Sequence, residues 1–255
     1  MSQATPQQTT APAQRAATLP QGHETMSSAL PDAERYHRWI LEVLARDVRG
    51  GALLEIGPGY GQYTQALAGR VDRLVAADVS EACAAGIHGI APHVEGRVAD
   101  LADPGFAGAV GRAAFDHAVC LNVLEHLEDD AAALARIGEA LRPGGALLLL
   151  VPAHPALYGP MDAHAGHFRR YTRRDLAGKL ARAGFASRLA YFNPLGGLGW
   201  WVNARLFRPA TLSEPSVNRQ ILLFDRFVLP LSRALDPLTR GFFGQSLWAV
   251  ARRPG

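Results

Sequence analysis

The sequence predicts an α/β protein built on a doubly wound, mostly parallel sheet, and two observations carry that expectation. Short runs rich in Val, Leu and Ala recur at residues 52–56, 73–77, 115–121 and 146–151, separated by segments of helix length. Runs of this kind read as strands buried on both faces of a parallel sheet. The first run, in LLEIGPGYGQY (Leu53–Tyr63), passes into a loop with three glycines and then a helix. That arrangement lets a ligand approach free N–H groups at a helix N-terminus.

Taken in order, residues 1–25 are rich in Gln, Thr, Ala and Pro and lack apolar periodicity, so a disordered tail is expected. A catalytic core is expected over 26–192 and 245–255. Its first helix starts near Pro31 and Asp32 and places Tyr36, Ile40, Val43 and Leu44 at helical spacing. A third strand is expected before Asp100. The helix preceding the 146–151 strand has Glu128, Asp129 and Asp130 at its positive end, a stripe of Leu134, Ile137 and Leu141, and RPGG as its stop. TRRD at Thr172 resembles a capping box with Asp in place of Glu, and that helix runs to Gly184. FASRLAYF and QSLWAVARR read as the last two strands. Residues 193–244, with Trp200, Trp201, Phe207, Phe224, Phe227, Phe242 and Phe243, are expected to form an inserted, mostly helical subdomain.

With 255 residues and 48% hydrophobic content, the chain can bury one substantial core. A net charge of +3, from 26 basic and 23 acidic residues, does not single out nucleic acid. Cys83 and Cys120 are the only cysteines and form no C-x-x-C, so neither a disulfide framework nor a zinc cluster is readable, no metal is expected, and a reducing cytoplasm fits best. The longest apolar stretch, Ala146 to Val151, is far too short for an integral membrane segment.

The glycine pattern is Gly57-x-Gly59-x-Gly61, and Gln62 stands where a dinucleotide fingerprint has its third glycine. Glu55, just before the turn, would repel a pyrophosphate but attract an ammonium or sulfonium group. A solvated acid beside a structural turn is the competing reading. Asp78 ends the second strand at the distance where nucleotide folds place an acid on ribose hydroxyls. Asp100 follows the third strand and could accept from an adenine amino group, although an isolated Asp is more often a turn cap. Tyr63 closes the loop and joins the candidate cofactor contacts.

The segments LEIGPGYG, AADVS, VADL, FDHAVCLNVLEHLEDD and LRPGGALLLLVP occur in the order and spacing of class I S-adenosylmethionine-dependent methyltransferases, and the sequence resembles their small-molecule branch. The resemblance covers roughly Tyr36 to Phe192 and the final strand. It implies a Rossmann-like sheet of seven strands with the last reversed. It also implies S-adenosylmethionine bound through Glu55, Gly57, Gly59, Asp78, Asp100 and the Asn122-Val123 turn, with Val79 and Leu101 near the adenine. The Asn/Asp-Pro-Pro-Tyr/Phe motif of many nucleic-acid amino-methyltransferases is replaced by LNVL, so no nucleic-acid partner is expected.

The acceptor is left to VPAHPALYGPMDAHAGHFRRYTRRDL, dense in groups that move protons: His154, Tyr158, Asp162, His164, His167 and Tyr171. If a base is used, His154 or His167 is expected to serve, with Tyr171 as the alternative. Each could equally be a hydrogen-bonded loop residue. Glu125 and His126 lie beyond the fourth strand, where His126 either contacts the methionine end or the acceptor or else shapes the turn. Arg169 and Arg170 could orient an acceptor carboxylate or phosphate. Tyr36, with His37 and Trp39 on the first helix, could form a lid, with packing on the sheet as the alternative. Tyr158, Trp200 and Trp201 could wall a flat acceptor pocket, and the insertion could instead make a homodimer or, less favoured, a membrane-surface contact.

The leading expectation is methyl transfer to the oxygen, nitrogen or ring carbon of a small molecule, an aromatic secondary metabolite such as a phenol or indole. A nicotinamide-dependent oxidoreductase on a similar sheet is the alternative, against which Glu55 and the glycine spacing argue. A non-catalytic cofactor-binding interaction protein is the third.

Overall fold

A computed structural model describes residues 33–202 and 221–255. The tail, the helix start at Pro31 and Asp32, and the side chains of Trp200 and Trp201 lie outside the described residues.

Among the described residues seven strands form one sheet: β1 Ala52–Ile56, β2 Arg73–Asp78, β3 Val94–Val98, β4 Phe115–Leu121, β5 Leu141–Pro152, β6 Ala186–Phe192 and β7 Ser246–Arg252. Their spatial order is β3-β2-β1-β4-β5-β7-β6. β1 to β5 are mutually parallel, and β7 runs antiparallel to both β5 and β6. The reversed last strand implied by the resemblance is therefore present.

The apolar runs form strands because both faces are covered. Leu54, Val75, Leu147 and Leu149 join Phe106, Ile137 and Leu180 on one face. On the other, Leu53, Leu74, Leu148 and Leu150 join Ile40, Leu44, Leu67 and Trp248. Each fully buried Leu is worth about 1.5–3 kcal/mol relative to exposure, which outweighs any local preference for helix in these runs. The covering helices are α1 Glu34–Asp47, α2 Thr64–Ala68, α3 Glu81–Ile87, α4 Phe106–Val110, α5 Asp130–Ala140, α6 Pro160–His164 and α7 Arg173–Arg182. Asp129 caps α5 by accepting from Ala132 N, and the Thr172 hydroxyl caps α7 by accepting from Asp175 N.

One boundary differs from expectation. Leu141, counted above in the stripe of α5, already belongs to β5 and pairs with Phe115. The register then slips so that Ala146 pairs with His117, which leaves Arg142–Gly145 as a bulge within the strand. The RPGG segment bends a strand here, with Gly144 at φ 78°.

Between β6 and β7 the described segments are helical: α8 Pro194–Val202, a π turn Phe224–Val228 and α9 Leu229–Thr239. Asp225 in the π turn accepts from Arg35 N at 3.1 Å and Tyr36 N at 2.9 Å. These are first-turn donors of α1, whose own N-cap, Ala33, offers no side-chain bond. The π turn thus fixes the end of α1 that carries Tyr36 and His37. Among the described residues no helix is long and apolar enough to cross a membrane.

Candidate active site at the carboxyl ends of β1 and β4

Strand order reverses between β1 and β4, and at such a switch point a crevice opens beyond the carboxyl ends of the strands. Glu55, near the end of β1, is 3% exposed, and its Oε2 has no hydrogen-bond partner among the described residues. Burial pushes its carboxyl up to about 7, with the neighbouring Thr64 hydroxyl acting in the opposite sense. Gly57 follows at φ 64°, and a Cβ there would lie 2.5 Å from Val123 Cγ2. Only glycine lets the first loop pass so close to the turn after β4. Gly59, at φ 55°, instead faces open space, which leaves its backbone approachable.

Asp78, 3% exposed, ties the second strand to that loop: Oδ2 accepts from Gly59 N at 3.1 Å and Oδ1 from Ser80 N at 2.9 Å. Val79 beside it is half-buried, whereas Leu101 is buried. Asp100 is exposed, and its Oδ1 accepts from Ala102 N at 2.8 Å in a turn, so it matches the turn-cap alternative and still faces outward. Asn122, at φ 52°, leaves β4 in the left-handed conformation while its N–H bonds Leu150 O at 2.9 Å. Tyr63 Oη lies 2.7 Å from His37 Nδ1, and the Tyr36 ring lies 6.0 Å from that of His37. Tyr36, His37 and Tyr63 therefore gather where α1 meets the glycine loop. Trp39 takes the packing alternative, with its ring 4.1 Å from that of Phe192 in the core.

The acceptor segment is organised around Asp162, which is wholly buried. Its Oδ1 receives His167 Nδ1 at 3.0 Å and Arg170 Nε at 2.8 Å, and its Oδ2 receives Gly159 N at 2.9 Å. Burial alone would raise the Asp162 carboxyl, but the bonds from His167 and Arg170 hold it below the ordinary carboxylate range. With Nδ1 donating to this carboxylate, His167 turns Nε2 toward Glu125 Oε1, 3.9 Å away. Glu125 is fully buried, and burial pushes its carboxyl up to about 7. The His126 ring meets that of His167 edge-on at 4.7 Å.

The other sequence candidates are placed differently. Tyr171 is fully buried and donates to Asp130 Oδ2 at 2.9 Å. Burial and the Asp130 charge hold the proton on its phenol. The His154 ring stacks with Tyr191 at 4.9 Å and with Phe243 at 5.1 Å, and burial lowers its basicity. Arg170 is 5% exposed and also donates to Ala153 O at 3.2 Å, so its guanidinium braces the segment from within. Arg169 donates to Glu128 O and lies 3.3 Å from Asp130 Oδ2. Tyr158 is exposed and donates to His167 O at 2.7 Å, and His164 is exposed beside Pro160 O. Trp200 and Trp201 have no described side chains. Sequence reading singled out Asp162 as a proton-moving group and the Glu125-His126 pair beyond the fourth strand, but it did not join them to His167.

Across residues 28–188 the chain matches the family model described as a methyltransferase domain. A protein of Mycolicibacterium smegmatis named a probable S-adenosylmethionine-dependent methyltransferase is 30% identical over 155 residues, which cover 59% of this chain and 58% of that protein. The chain thus matches a little over half the length of that curated relative. Among solved structures, an S-adenosylmethionine-dependent methyltransferase from Mesorhizobium loti superposes with a TM-score of 0.58 at 18% identity over 85% of this chain and 98% of that one. The Burkholderia thailandensis 1,6-didemethyltoxoflavin-N1-methyltransferase, holding 1,6-didemethyltoxoflavin and S-adenosylhomocysteine, does so at 0.57 and 20% over 98% and 94%. The chain belongs to the methyltransferase-domain family, in its class I form whose cofactor is S-adenosylmethionine.

Proposed function

We propose that this protein transfers a methyl group from S-adenosylmethionine to a small-molecule acceptor. The observation that carries the reading is the buried Glu55 carboxylate with an unpartnered oxygen, set beside a left-handed glycine turn whose next segment is held by Asp78. A cationic amino acid end satisfies that oxygen, whereas a pyrophosphate would be repelled by it.

In this reading Glu55 takes the ammonium of the cofactor, the Gly57–Gly59 backbone lies along its methionine part, and Asp78 accepts from the ribose hydroxyls. Val79 and Leu101 flank the adenine, with Asp100 at its amino edge. When bound, the cofactor supplies a methyl group on sulfonium sulfur, a leaving group good enough that alignment provides much of the rate. The chain's own task is then to hold the acceptor in line and keep water out, for which Tyr36, His37 and Tyr63 stand at the mouth of the loop. Of the three candidate bases, His167 directs a nitrogen toward Glu125 and His126, while His154 and Tyr171 are occupied by packing. The Burkholderia protein of similar fold holds the small molecule 1,6-didemethyltoxoflavin beside S-adenosylhomocysteine, which is consistent with a small-molecule acceptor here. The buried free thiols Cys83 and Cys120 suit a reducing compartment such as the cytoplasm.

The pH dependence of binding tests the cofactor assignment. Because the Glu55 carboxyl is raised from 4.5 to about 7 in the folded chain, it is protonated at low pH and cannot attract the ammonium. Occupation favours the ionised form, so S-adenosylhomocysteine affinity should rise about tenfold from pH 6 to pH 8 and level off above. For the unliganded protein the sign is opposite: this group's contribution to stability is present below pH 4.5 and is lost as pH rises through about 7. Calorimetric titration should show the rise in the wild type and a flat, weaker profile in Glu55→Gln. A flat wild-type profile, or greater thermal stabilisation by NAD than by S-adenosylhomocysteine, would overturn the assignment.

A further inference from the structure

The turn after β4 and the loop before α7 bring together three groups that the sequence separates, Glu125, His126 and His167. One ligand atom from each lies within 4.8 Å of the others. Two donors about 2.0–2.2 Å from one ion stand roughly 3–4 Å apart, so small side-chain rotations suffice to place all three on a common centre. Both Glu125 oxygens and His167 Nε2 are buried without a hydrogen-bond partner among the described residues. Leaving three such acceptor atoms unsatisfied is costly in a folded interior, and a cation at their focus satisfies all three at once.

The surroundings are those of a ligand set. His167 Nδ1 is bonded to the Asp162 carboxylate at 3.0 Å, which fixes the tautomer with the Nε2 lone pair aimed at Glu125. A carboxylate behind a metal-binding imidazole orients the ring and raises its basicity. Asp162 is itself held by Arg170 Nε at 2.8 Å and Gly159 N at 2.9 Å, so the ring has little freedom to turn away. The site also borders the cofactor crevice: Val123, whose side chain fills the space beside Gly57, lies two residues before Glu125.

We propose that Glu125, His126 and His167 bind one divalent transition-metal ion of the zinc type, with a remaining coordination position open to an oxygen of the acceptor. One carboxylate and two imidazoles suit such an ion better than Mg²⁺ or Ca²⁺, which take oxygen ligands, and a three-ligand protein set leaves room for substrate. This refines the methyltransferase reading and rests on it for the acceptor: the acceptor carries an acidic hydroxyl, such as a phenol. Coordination lowers the hydroxyl pKa, and its proton leaves to water. An oxygen lone pair then forms the O–CH₃ bond as the C–S bond breaks with its electron pair going to sulfur. His167 is in this case a ligand, and the ion takes over the activation expected of a base.

The test uses the full chain without a polyhistidine tag, stripped with a chelator and titrated with Co²⁺ followed by visible absorption, then with Zn²⁺ in competition. The same samples are titrated with S-adenosylhomocysteine. The expected result is one equivalent of Co²⁺ with a ligand-field spectrum, displaced by Zn²⁺, and at least tenfold weaker binding in both Glu125→Gln and His167→Gln. His93→Ala, whose ring faces Ala68 O elsewhere, should bind as the wild type does. Circular dichroism identifies any variant that has lost its fold, and His126→Ala supplies an independent variant if one has. Absence of stoichiometric Co²⁺ binding, or binding unchanged in the folded ligand variants, overturns the metal site. Metal failure with intact S-adenosylhomocysteine binding leaves the methyltransferase reading standing, and the reverse result separates the two in the other direction.

Discussion

Asp78→Ala is expected to weaken S-adenosylhomocysteine binding by about a hundredfold or more while the sheet stays folded. Hydrogen bonds to a charged acceptor contribute about 1.5–3 kcal/mol each, and two ribose hydroxyls are assigned to this carboxylate. The side chain has a second task that the substitution also removes. It holds Gly59 N at 3.1 Å and Ser80 N at 2.9 Å, so the glycine loop and the start of α3 lose their shared anchor. Asp78→Asn keeps an oxygen for one of these donors but not the charge, and an intermediate loss is expected. Calorimetry gives the affinities, and far-UV circular dichroism confirms that β2, buried between β1 and β3, is intact. A loss below threefold in folded Asp78→Ala would contradict the placement of the ribose.

Gly57→Ala is expected to cost stability and cofactor affinity together, through two separable causes. The first is backbone conformation: at φ 64° an L-residue is strained by about 1–2 kcal/mol. The second is the collision of the new Cβ with Val123 Cγ2 at 2.5 Å, an overpacking of the kind that costs about 1–3 kcal/mol. Adding Val123→Ala removes the second cause and leaves the first. The double variant should therefore melt above Gly57→Ala yet below the wild type, a positive coupling that two independent sites would not show. If the double variant were no more stable than the single one, the contact across the β1–β4 crevice would not be as described. A Gly57→Ala chain as stable as the wild type would remove the left-handed turn as well.

What the sequence made legible follows from how local each signal is. The strands were readable because Leu53, Leu54, Leu74, Leu147 and Leu148 lie in apolar runs buried on both faces, with Glu55 the one acid inside the run of β1. Asp78 was readable because its distance from the glycine loop is set by one βαβ unit. The start of β5 was not, since Pro143 and the following glycines have the composition of a stop and only the pairing of Leu141 with Phe115 shows them to be a bulge. The acceptor side was harder still. Arg170 sits in a run of cations that reads as a solvated surface, but Asp162 draws it inside. Tyr171 and His154 read as candidate bases, and sequence alone does not show that Tyr171 donates to Asp130 or that the His154 ring stacks with Tyr191 and Phe243. Tyr171 and His154 owe their environments to residues distant in sequence, and Arg170 owes its own to a turn that folds Asp162 back onto it, none of which a local pattern records.

The central claim is that the crevice between β1 and β4 delivers a methyl group to a small molecule. Its most direct measurement is incubation of the full chain with methyl-labelled S-adenosylmethionine and a bacterial metabolite extract, followed by mass spectrometry of small-molecule, protein and nucleic-acid fractions. The account predicts label in a small molecule bearing an aromatic ring, formed by the wild type and lost in Asp78→Ala. Label confined to protein or nucleic acid, or no transfer despite tight cofactor binding, would contradict it.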